Sequence, residues 1–327
     1  MPLLLEGKKV FITGATGFVG GYILKSILQK GAHVIALNGK RNDKSFLGDD
    51  SKLVTWVDID ILDPNSLLEE LKEIDYVIHT ASIVSFNTTL DELRAVNVNG
   101  TANLVNISLQ AGIKKFIHIS SIAALGVPEY GNFINENSKW TGDKGMSAYA
   151  ISKYNAEQEV WRGYREGLDI VVLNPSVILG VGNWDRSSLT IFKTIQKGVK
   201  YYPSGLFSSV DVRDVTAAVI KAIELPISGE RFILNASNIP FKLALETISN
   251  GLNVEAPSKK ISKTSVNFIY YAEKIFSVFT GKSSQLSKDL IKSLFSRYEY
   301  DNKKAQEQIK IPFISLNDTM KWVKESL

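Results

Sequence analysis

The chain has 327 residues, of which 44% are hydrophobic and 22% are charged, and its formal net charge is +4. This length suits one large α/β domain with a smaller appended lobe, and the composition is that of a protein with a sizeable buried core. The sequence contains no cysteine, which excludes disulfides, cysteine-ligated zinc and a cysteine nucleophile. The mild positive charge comes without a long basic run, so we expect no nucleic-acid partner.

Other sequence features argue against a signal peptide, a membrane-spanning helix and a metal site. Residues Met1–Gly7 lack a basic region followed by a long apolar one, which predicts no signal peptide. No uncharged apolar stretch of about 18 residues occurs, so we expect no membrane insertion and a cytoplasmic protein. The three histidines, His33, His79 and His118, are not spaced as a helical metal motif, and we expect no metal. His118 stands in an apolar run that predicts a buried strand.

The first half of the sequence alternates short apolar runs with longer amphipathic ones. The predicted strands are Lys8–Thr13, His33–Leu37, Leu53–Val57, Tyr76–His79, Lys115–Ser120 and Ile170–Leu173. The predicted helices are Phe18–Lys30, Pro64–Lys72, Leu90–Ala111 and Ser147–Glu166. Strands rich in Val, Ile and Phe that alternate with helices indicate a parallel sheet buried on both faces. The predicted fold class is α/β, a Rossmann-type doubly wound sheet with a smaller, mostly helical lobe.

The second half of the sequence is less regular. It predicts loops at Gly180–Asp185 and Gly205–Ser209, helices at Ser188–Lys197 and within Asp211–Leu225, a strand at Arg231–Leu234, and mostly helix after Pro240. We therefore expect a dinucleotide-binding domain of residues 1–175 and 210–237, and a substrate-binding lobe of residues 176–209 and 238–327. The aromatic segment Val266–Phe279 predicts an amphipathic helix packed on this lobe, with a helix that touches a membrane or a lipid substrate as the alternative.

A glycine-rich turn, Thr13 to Gly20, joins the first strand to the first helix. Gly14 permits a tight turn, Gly17 lets the backbone approach a pyrophosphate, and Gly20 lets the helix pack closely on the strand. The exposed N–H groups and the dipole of this helix start attract phosphate. The candidate cofactor-binding residues of the turn are Gly14, Thr16, Gly17, Phe18, Val19 and Gly20.

Cofactor choice depends on the residues directly after the second strand. An acid there binds the 2′-hydroxyl of NAD, and a basic group accepts the 2′-phosphate of NADP. The sequence reads Asn38-Gly39-Lys40-Arg41, with no acid, so it favours NADP(H) and leaves NAD(H) open. Asn38, Lys40 and Arg41 are the candidate contacts, whereas Asp43 nearby acts in the opposite sense.

Tyr149 and Lys153 are four residues apart at the start of a predicted helix, a spacing that places both on one face. A neighbouring ammonium favours the phenolate and lowers the tyrosine pKa, which suits general acid–base catalysis. The lysine can also hold the nicotinamide ribose. Ser120 and Ser121 end the fifth strand, where parallel sheets bind ligands, and either serine could polarise a substrate oxygen.

With these motifs, the chain from Lys8 to about Leu234 resembles an extended short-chain dehydrogenase/reductase of the NAD-dependent epimerase/dehydratase superfamily. The resemblance implies that Ser121, five residues before Gly126, is the catalytic serine rather than Ser120. It also implies further cofactor contacts, at Asp60 and Ile61 to adenine, at Thr80, Ala81 and Ser82 after strand four, at Asn97 in the next helix, and at Pro175, Ser176 and Val177 near nicotinamide. Residues Leu173–Gly180 and Trp184-Asp185-Arg186 resemble the dihydroflavonol-reductase and 3β-hydroxysteroid-dehydrogenase branch.

The expected function is an NAD(P)-dependent oxidoreductase that acts on a ketone, an aldehyde or a secondary alcohol. Tyr149 is the expected acid/base, Ser121 holds the substrate oxygen, and Lys153 tunes Tyr149 and holds the ribose. One alternative is a nucleotide-sugar epimerase or dehydratase that keeps NAD tightly bound. A second is a non-catalytic NADP-binding protein. The sequence leaves the substrate and a homodimeric assembly open.

Overall fold

The computed structural model describes residues 3–39, 43–84, 88–128, 131–270 and 287–327. Its strands in chain order are β1 (Lys9–Thr13), β2 (His33–Leu37), β3 (Val54–Val57), β4 (Tyr76–His79), β5 (Lys115–Ile119), β6 (Phe133–Ile134), β7 (Ile170–Pro175), β8 (Val177–Leu179), β9 (Tyr201–Tyr202), β10 (Leu206–Asp211), β11 (Glu230–Leu234), β12 (Ser237–Pro240), β13 (Lys259–Lys260) and β14 (Glu299–Tyr300). Seven of them form a parallel sheet in the order β11-β7-β5-β4-β1-β2-β3. The strand order reverses between β1 and β4, and such sheets bind ligands at the carboxyl ends of the strands beside this point.

The helices connect the strands and have recognisable start and stop signals. They are α1 (Phe18–Gln29), α2 (Pro64–Glu70), α3 (Leu90–Leu93), α4 (Gly100–Ala111), α5 (Ala148–Arg165), α6 (Thr190–Gln196), α7 (Val212–Glu224) and α8 (Phe241–Gly251), then Lys288–Leu294, Lys303–Gln308 and Leu316–Glu325. The Asp63 side chain accepts a hydrogen bond from the Asn65 N–H and caps α2, which has Pro64 as its first residue. Gly112 ends α4 in the left-handed region, with φ of 69°.

Helices cover both faces of the seven-stranded sheet. On one face α1 and α7 contribute Ile23 and Val219 to a buried cluster, and on the other α4 and α5 contribute Leu104 and Val160 to a second one. Side chains of β1 alternate between these clusters, with Val10 and Ile12 in the first and Phe11 in the second. The architecture is the predicted Rossmann-type doubly wound α/β fold.

The segment predicted as one helix over Leu90–Ala111 is continuous, but its middle is not α-helical. Residues Arg94–Asn99 form a π-helical stretch between α3 and α4. A π-helical turn contains one residue more than an α-helical turn and is often found at functional sites. Asn97, one of the predicted cofactor residues, is buried within this stretch.

The sequence-based prediction for Gly205–Ser209 is wrong. Residues Leu206–Asp211 form β10, which lies between β8 and β12 in a separate three-stranded sheet. Gly205 and the two serines after Phe207 are typical of a loop, but the β10 residues Phe207 to Asp211 are buried by tertiary packing. Of the segment predicted to return to the main sheet, β11 does so and Val210 does not.

A third buried cluster lies beside this small sheet and is built from residues far apart in sequence. Its buried members are Leu179, Leu189, Phe192, Ile195, Phe207, Ala244, Leu245, Ile248, Leu252, Leu316, Met320 and Val323. Phe18, at the start of α1, packs against the same cluster. The glycine-rich turn is therefore in contact with the second half of the chain. Of the predicted Val266–Phe279 helix, residues 266–270 are helical, in a helix that begins at residue 263, and the remainder lies outside the described residues.

Candidate active site

The glycine-rich turn lies at the carboxyl end of β1 and is packed too tightly for side chains at two positions. A Cβ atom on Gly14, which has φ of +74°, would lie 2.5 Å from Thr80 Oγ1 and 2.7 Å from the Ala81 nitrogen. A Cβ atom on Gly20 would lie 2.1 Å from the carbonyl oxygen of Gly14. Gly17, in contrast, is exposed at the start of α1. Gly14 and Gly20 are required by the packing of the turn, whereas Gly17 leaves its backbone exposed; its predicted cofactor contact stays a prediction.

Neutral hydrogen bonds hold β1 and β4 together beneath this turn. The Oγ1 atom of Thr13 lies 2.7 Å from Nδ1 of His79, and Nε2 of His79 lies 2.9 Å from Oγ1 of Thr101 in α4. Thr80 Oγ1 donates to the Thr13 carbonyl oxygen at 2.7 Å, and the Ala81 N–H donates to Thr13 Oγ1. Burial lowers the pKa of His79 to about 3, so the imidazole is neutral at physiological pH.

The carboxyl end of β2 lies beside the turn. A Cβ atom on Gly39 would lie 3.2 Å from Thr16 Oγ1. The side-chain amide of Asn38 donates to Asp58 Oδ1 at 2.6 Å. Asp58 follows β3, so the neighbouring strand supplies the acid that the sequence after β2 lacks. Asp58 was not predicted from the sequence, because the pattern for this position concerns only residues that directly follow β2. Lys40 and Arg41, the predicted phosphate contacts, lie outside the described residues.

The residues around the glycine-rich turn and the carboxyl end of β2, the nucleotide half of the crevice, fit a dinucleotide. Glycines leave room where Cβ atoms would otherwise fill the turn. Two buried polar atoms, Asn38 Oδ1 and Ser82 Oγ, have no hydrogen-bond partner among the described residues and are available to a ligand. Asp60 is exposed, and Ile61 is buried against Gly100 of α4.

The predicted catalytic tyrosine and serine are in contact. Tyr149 is in the first turn of α5, which Ser147 caps by accepting a hydrogen bond from the Ala150 N–H at 2.9 Å. Burial raises the pKa of Tyr149 to about 12, and a hydrogen bond with the Ser121 side chain acts in the opposite direction. The predicted lowering of this pKa by Lys153 is not found among the described groups. Tyr149 is therefore protonated at neutral pH.

The same site distinguishes the two candidate serines. Ser121 follows β5 and caps the short helix Ile122–Ala124, its Oγ accepting from the Ala123 N–H at 3.1 Å. Ser120 is buried, and its hydroxyl donates to Oε2 of Glu157 at 2.7 Å. Ser121 is thus the candidate serine hydrogen-bonded to Tyr149, and its catalytic role stays a prediction.

Lys153 lies one helical turn after Tyr149 and is 2% exposed. Its Nζ donates to the carbonyl oxygen of Ile119, the last residue of β5, at 3.0 Å. Burial lowers the Lys153 pKa to about 8, and the charge of Glu157 acts to raise it. The ammonium form therefore predominates at neutral pH and carries three N–H donors, one of which is used by Ile119.

Asn97 holds the segment after β4 against α5. Its Oδ1 accepts from the Ile83 N–H at 2.7 Å, and its Nδ2 donates to the Ile83 carbonyl oxygen and to Ser152 Oγ, both at 3.1 Å. Ser152 Oγ donates in turn to the carbonyl oxygen of Tyr149. With its amide occupied and only 2% of its surface exposed, Asn97 positions the crevice wall; its predicted cofactor contact stays a prediction.

The predicted nicotinamide contacts lie where the chain leaves the main sheet. Pro175 ends β7, and Val177 begins β8 of the three-stranded sheet. Ser176 between them is anchored by two hydrogen bonds to the Leu234 carbonyl oxygen, from its N–H at 2.9 Å and its hydroxyl at 3.3 Å. These residues share the carboxyl edge of the sheet with Ser121 and the glycine turn.

Comparison with known proteins agrees with this geometry. The profile of the NAD dependent epimerase/dehydratase family matches residues 10–235. The chain belongs to this family. A putative dihydroflavonol 4-reductase of Synechocystis sp. is 28% identical over 320 residues, which cover 95% of this chain and 92% of the relative. Sterol demethylase protein B of Methylococcus capsulatus is 31% identical over 234 residues, 69% of each chain.

Among solved structures, the crystal structure of gox2253 superposes with a TM-score of 0.82 at 24% identity, covering 98% of this chain and 99% of the other. The likeness confirms the fold of this epimerase/dehydratase-family member. The relatives confirm the dihydroflavonol-reductase-like branch, and this member of the family is an oxidoreductase. No helix among the described residues combines the length and the hydropathy needed to cross a bilayer.

Proposed function

We propose that the protein is a reductase or dehydrogenase that interconverts a ketone or aldehyde and the corresponding alcohol, with Tyr149 as the acid/base. The observation that carries this proposal is the hydrogen bond between Tyr149 and Ser121 beside the buried ammonium of Lys153, at the carboxyl end of β5. The name of the Synechocystis relative, a putative reductase, supports the same class of reaction.

The roles of the side chains follow from their contacts. A nicotinamide dinucleotide, when bound, supplies or accepts the hydride. Ser121 Oγ accepts from the Ala123 N–H and is hydrogen-bonded to Tyr149, so one substrate oxygen could contact both hydroxyls. In reduction, Tyr149, which its raised pKa keeps protonated at neutral pH, donates its proton to that oxygen. Lys153 lies one helical turn after Tyr149, and its N–H groups not used by Ile119 would bind ribose hydroxyls of the cofactor.

The proposal extends to the cofactor and to the lobe. We propose a preference for NADP(H), supported by the pair Lys40 and Arg41 after β2. Asp43 pairs with Arg186 at 3.1 Å, which offsets its charge, whereas Asp58 acts against a 2′-phosphate. We assign substrate selection to residues 176–209 and 238–327.

Replacing Tyr149 by Phe tests the proposed reaction. Tyr149→Phe removes the transferable proton and should lower kcat about 100-fold or more, with cofactor affinity retained. The measurements are cofactor oxidation against a panel of aldehydes, ketones and secondary alcohols, and a cofactor binding titration.

Tyr154→Phe is the matched control on the same helix. The rings of Tyr154 and Trp140 are stacked with their centroids 4.3 Å apart. Removing the Tyr154 hydroxyl should leave kcat unchanged. Near-normal kcat in Tyr149→Phe would refute the mechanism. A nucleotide sugar that is epimerised with no net cofactor oxidation would replace it by the epimerase alternative.

A further inference from the structure

A buried carboxylate with no assigned role lies one helical turn after Lys153. Glu157 of α5 is fully buried, accepts hydrogen bonds from three side chains and forms one ion pair. Its Oε2 accepts from Ser120 Oγ at 2.7 Å and from Asn174 Nδ2 at 2.8 Å. Its Oε1 accepts from Trp161 Nε1 at 3.0 Å and forms an ion pair with Arg231. Both carboxylate oxygens are therefore engaged by donors, as the burial of such a polar group requires.

These bonds converge on the backbone that presents Ser121. Ser120 is the preceding residue, and Asn174 Nδ2 also donates to the Ser121 carbonyl oxygen at 3.0 Å. Glu157 thus joins the carboxyl ends of β5 and β7 to α5, which carries Tyr149 and Lys153. Through Arg231 it also reaches the edge strand β11. One side chain therefore sets the position of the serine relative to the tyrosine and lysine.

Glu157 also affects the pKa of Lys153, because the histidines and the tyrosine around that lysine are neutral. His79 and His118 face Lys153 from β4 and β5, and burial together with the lysine charge lowers the pKa of both, so they are neutral. Tyr149 is protonated at neutral pH. Glu157 is the group whose charge raises the Lys153 pKa. Arg231, with its side chain 16% exposed, offsets part of that negative charge.

Lys304 is the remaining nearby cation at β11. It pairs with Glu230 at 2.5 Å. Glu230 therefore offsets its charge.

We infer that Glu157 is a positioning residue of the active site, which holds Ser121 in place against Tyr149 and keeps Lys153 in its ammonium form. Arg231 is its counter-ion and limits how strongly the carboxylate acts on the lysine. The inference rests on the proposed function for its catalytic consequence, but its electrostatic part concerns the protein alone.

The test is an NMR titration of Lys153 in protein labelled with ¹³C at lysine Cε, with the signal assigned by its loss in Lys153→Met. Glu157→Gln removes the negative charge and should lower the Lys153 pKa by about one unit. Arg231→Gln leaves Glu157 without its counter-ion and should raise the same pKa. A purely structural role predicts no such opposite shifts.

Two further variants keep the test decisive. Trp161→Phe removes one donor to the same carboxylate and no charge, and should leave the Lys153 titration within a few tenths of a unit. If a single variant does not fold, the double variant Glu157→Gln with Arg231→Gln removes both members of the ion pair and should still lower the Lys153 pKa, by less. An unchanged titration in the charge-removing variants overturns the inference.

The pH profile of activity separates this inference from the proposed function. The high-pH limb of kcat/KM for the reduced cofactor should move down in Glu157→Gln and up in Arg231→Gln, in step with the NMR titration. Shifts in the NMR signal without wild-type reductase activity would contradict the proposed function and leave the role of Glu157 in place. Wild-type reductase activity together with an unchanged Lys153 titration and an unchanged pH profile in the variants would contradict the role of Glu157 and leave the proposed function in place.

Discussion

The two halves of the crevice are held together by different interactions. The nucleotide half, around the glycine turn, consists of backbone contacts and neutral hydrogen bonds among Thr13, His79 and Thr101. The catalytic half contains two buried charged side chains, Lys153 and Glu157, within one turn of α5. The nucleotide half is limited by close packing, because added atoms at Gly14 or Gly20 would overlap the backbone or Thr80. The catalytic half depends on charge, so gaining or losing a proton changes it even when its shape stays the same.

This difference predicts how each half responds to change. A larger side chain at the turn should lower cofactor affinity at any pH, because moving the backbone atoms of the turn costs free energy. The catalytic half should tolerate small changes of volume and respond to pH, because its buried groups titrate away from their ordinary values.

The largest effect is expected for Gly20→Ala. Its Cβ would lie 2.1 Å from the Gly14 carbonyl oxygen, so the turn must move. We expect cofactor affinity to fall about 100-fold, which corresponds to roughly 3 kcal/mol of strain. The measurement is a titration with NADPH and NADH, accompanied by thermal unfolding.

Gly39→Ala is the control for Gly20→Ala. Among the described residues, its Cβ would meet only the side-chain oxygen of Thr16, at 3.2 Å, and that side chain can rotate. Its effect on affinity should be severalfold at most. Equal losses in the two variants would show that volume at the turn does not decide affinity.

The next effect is a pH dependence of stability from Lys153. Its pKa is about 8 in the folded protein and ordinarily 10.5, so the unfolded state binds more protons between these values and stability rises with pH there. Relative to Lys153→Met, the wild type should gain about 2 kcal/mol of unfolding free energy between about pH 8 and about pH 9.5. Urea unfolding at both pH values measures it.

Ser152→Ala provides the reference for this pH effect. Ser152 is fully buried in the same helical turn and does not titrate in this range, so its loss should lower stability equally at both pH values. If the wild type and Lys153→Met have parallel pH profiles, the buried ammonium is not the source of the dependence.

The smallest effect is expected for the exposed end of the nucleotide half. Asp58→Asn removes a negative charge beside Asn38 and should raise NADPH affinity severalfold relative to NADH, about 1 kcal/mol at most for an exposed charge. Lys40→Ala with Arg41→Ala should change the ratio in the opposite direction. A wild type that prefers NADH, or a double variant with an unchanged ratio, would contradict the proposed preference for NADP(H).

Local signals allowed much of the fold and the site to be predicted. The glycine turn, the helix start at Tyr149 and the strands of the first half each depend on short-range sequence patterns, and their predicted bounds are within three residues of the structure. The choice of Ser121 over Ser120 rested on resemblance, and the structure supplies a physical reason in the bond from Ser120 to Glu157.

Features that depend on distant residues were not predicted. The sequence of β10 is typical of a loop. It forms a strand because it pairs with β8 and β12, and both partners are distant from it or unrecognisable in the local pattern. Asp58 meets Asn38 only because β3 lies beside β2. Glu157 occurs in a helix with ordinary polar spacing, and its partner Arg231 is far away in the sequence. No local pattern distinguishes these residues from solvent-exposed ones.

The π-helical stretch at Arg94–Asn99 has a consequence for alignments of this family. It packs one surplus residue into the helix, so the segment is longer in sequence than its axial length requires. A relative with a regular α-helix here would align with a one-residue gap. A gap placed on the wrong side of Asn97 rotates the inferred position of that side chain by about 100° around the helix axis. Residue equivalences across this helix are therefore best assigned from superposed backbones.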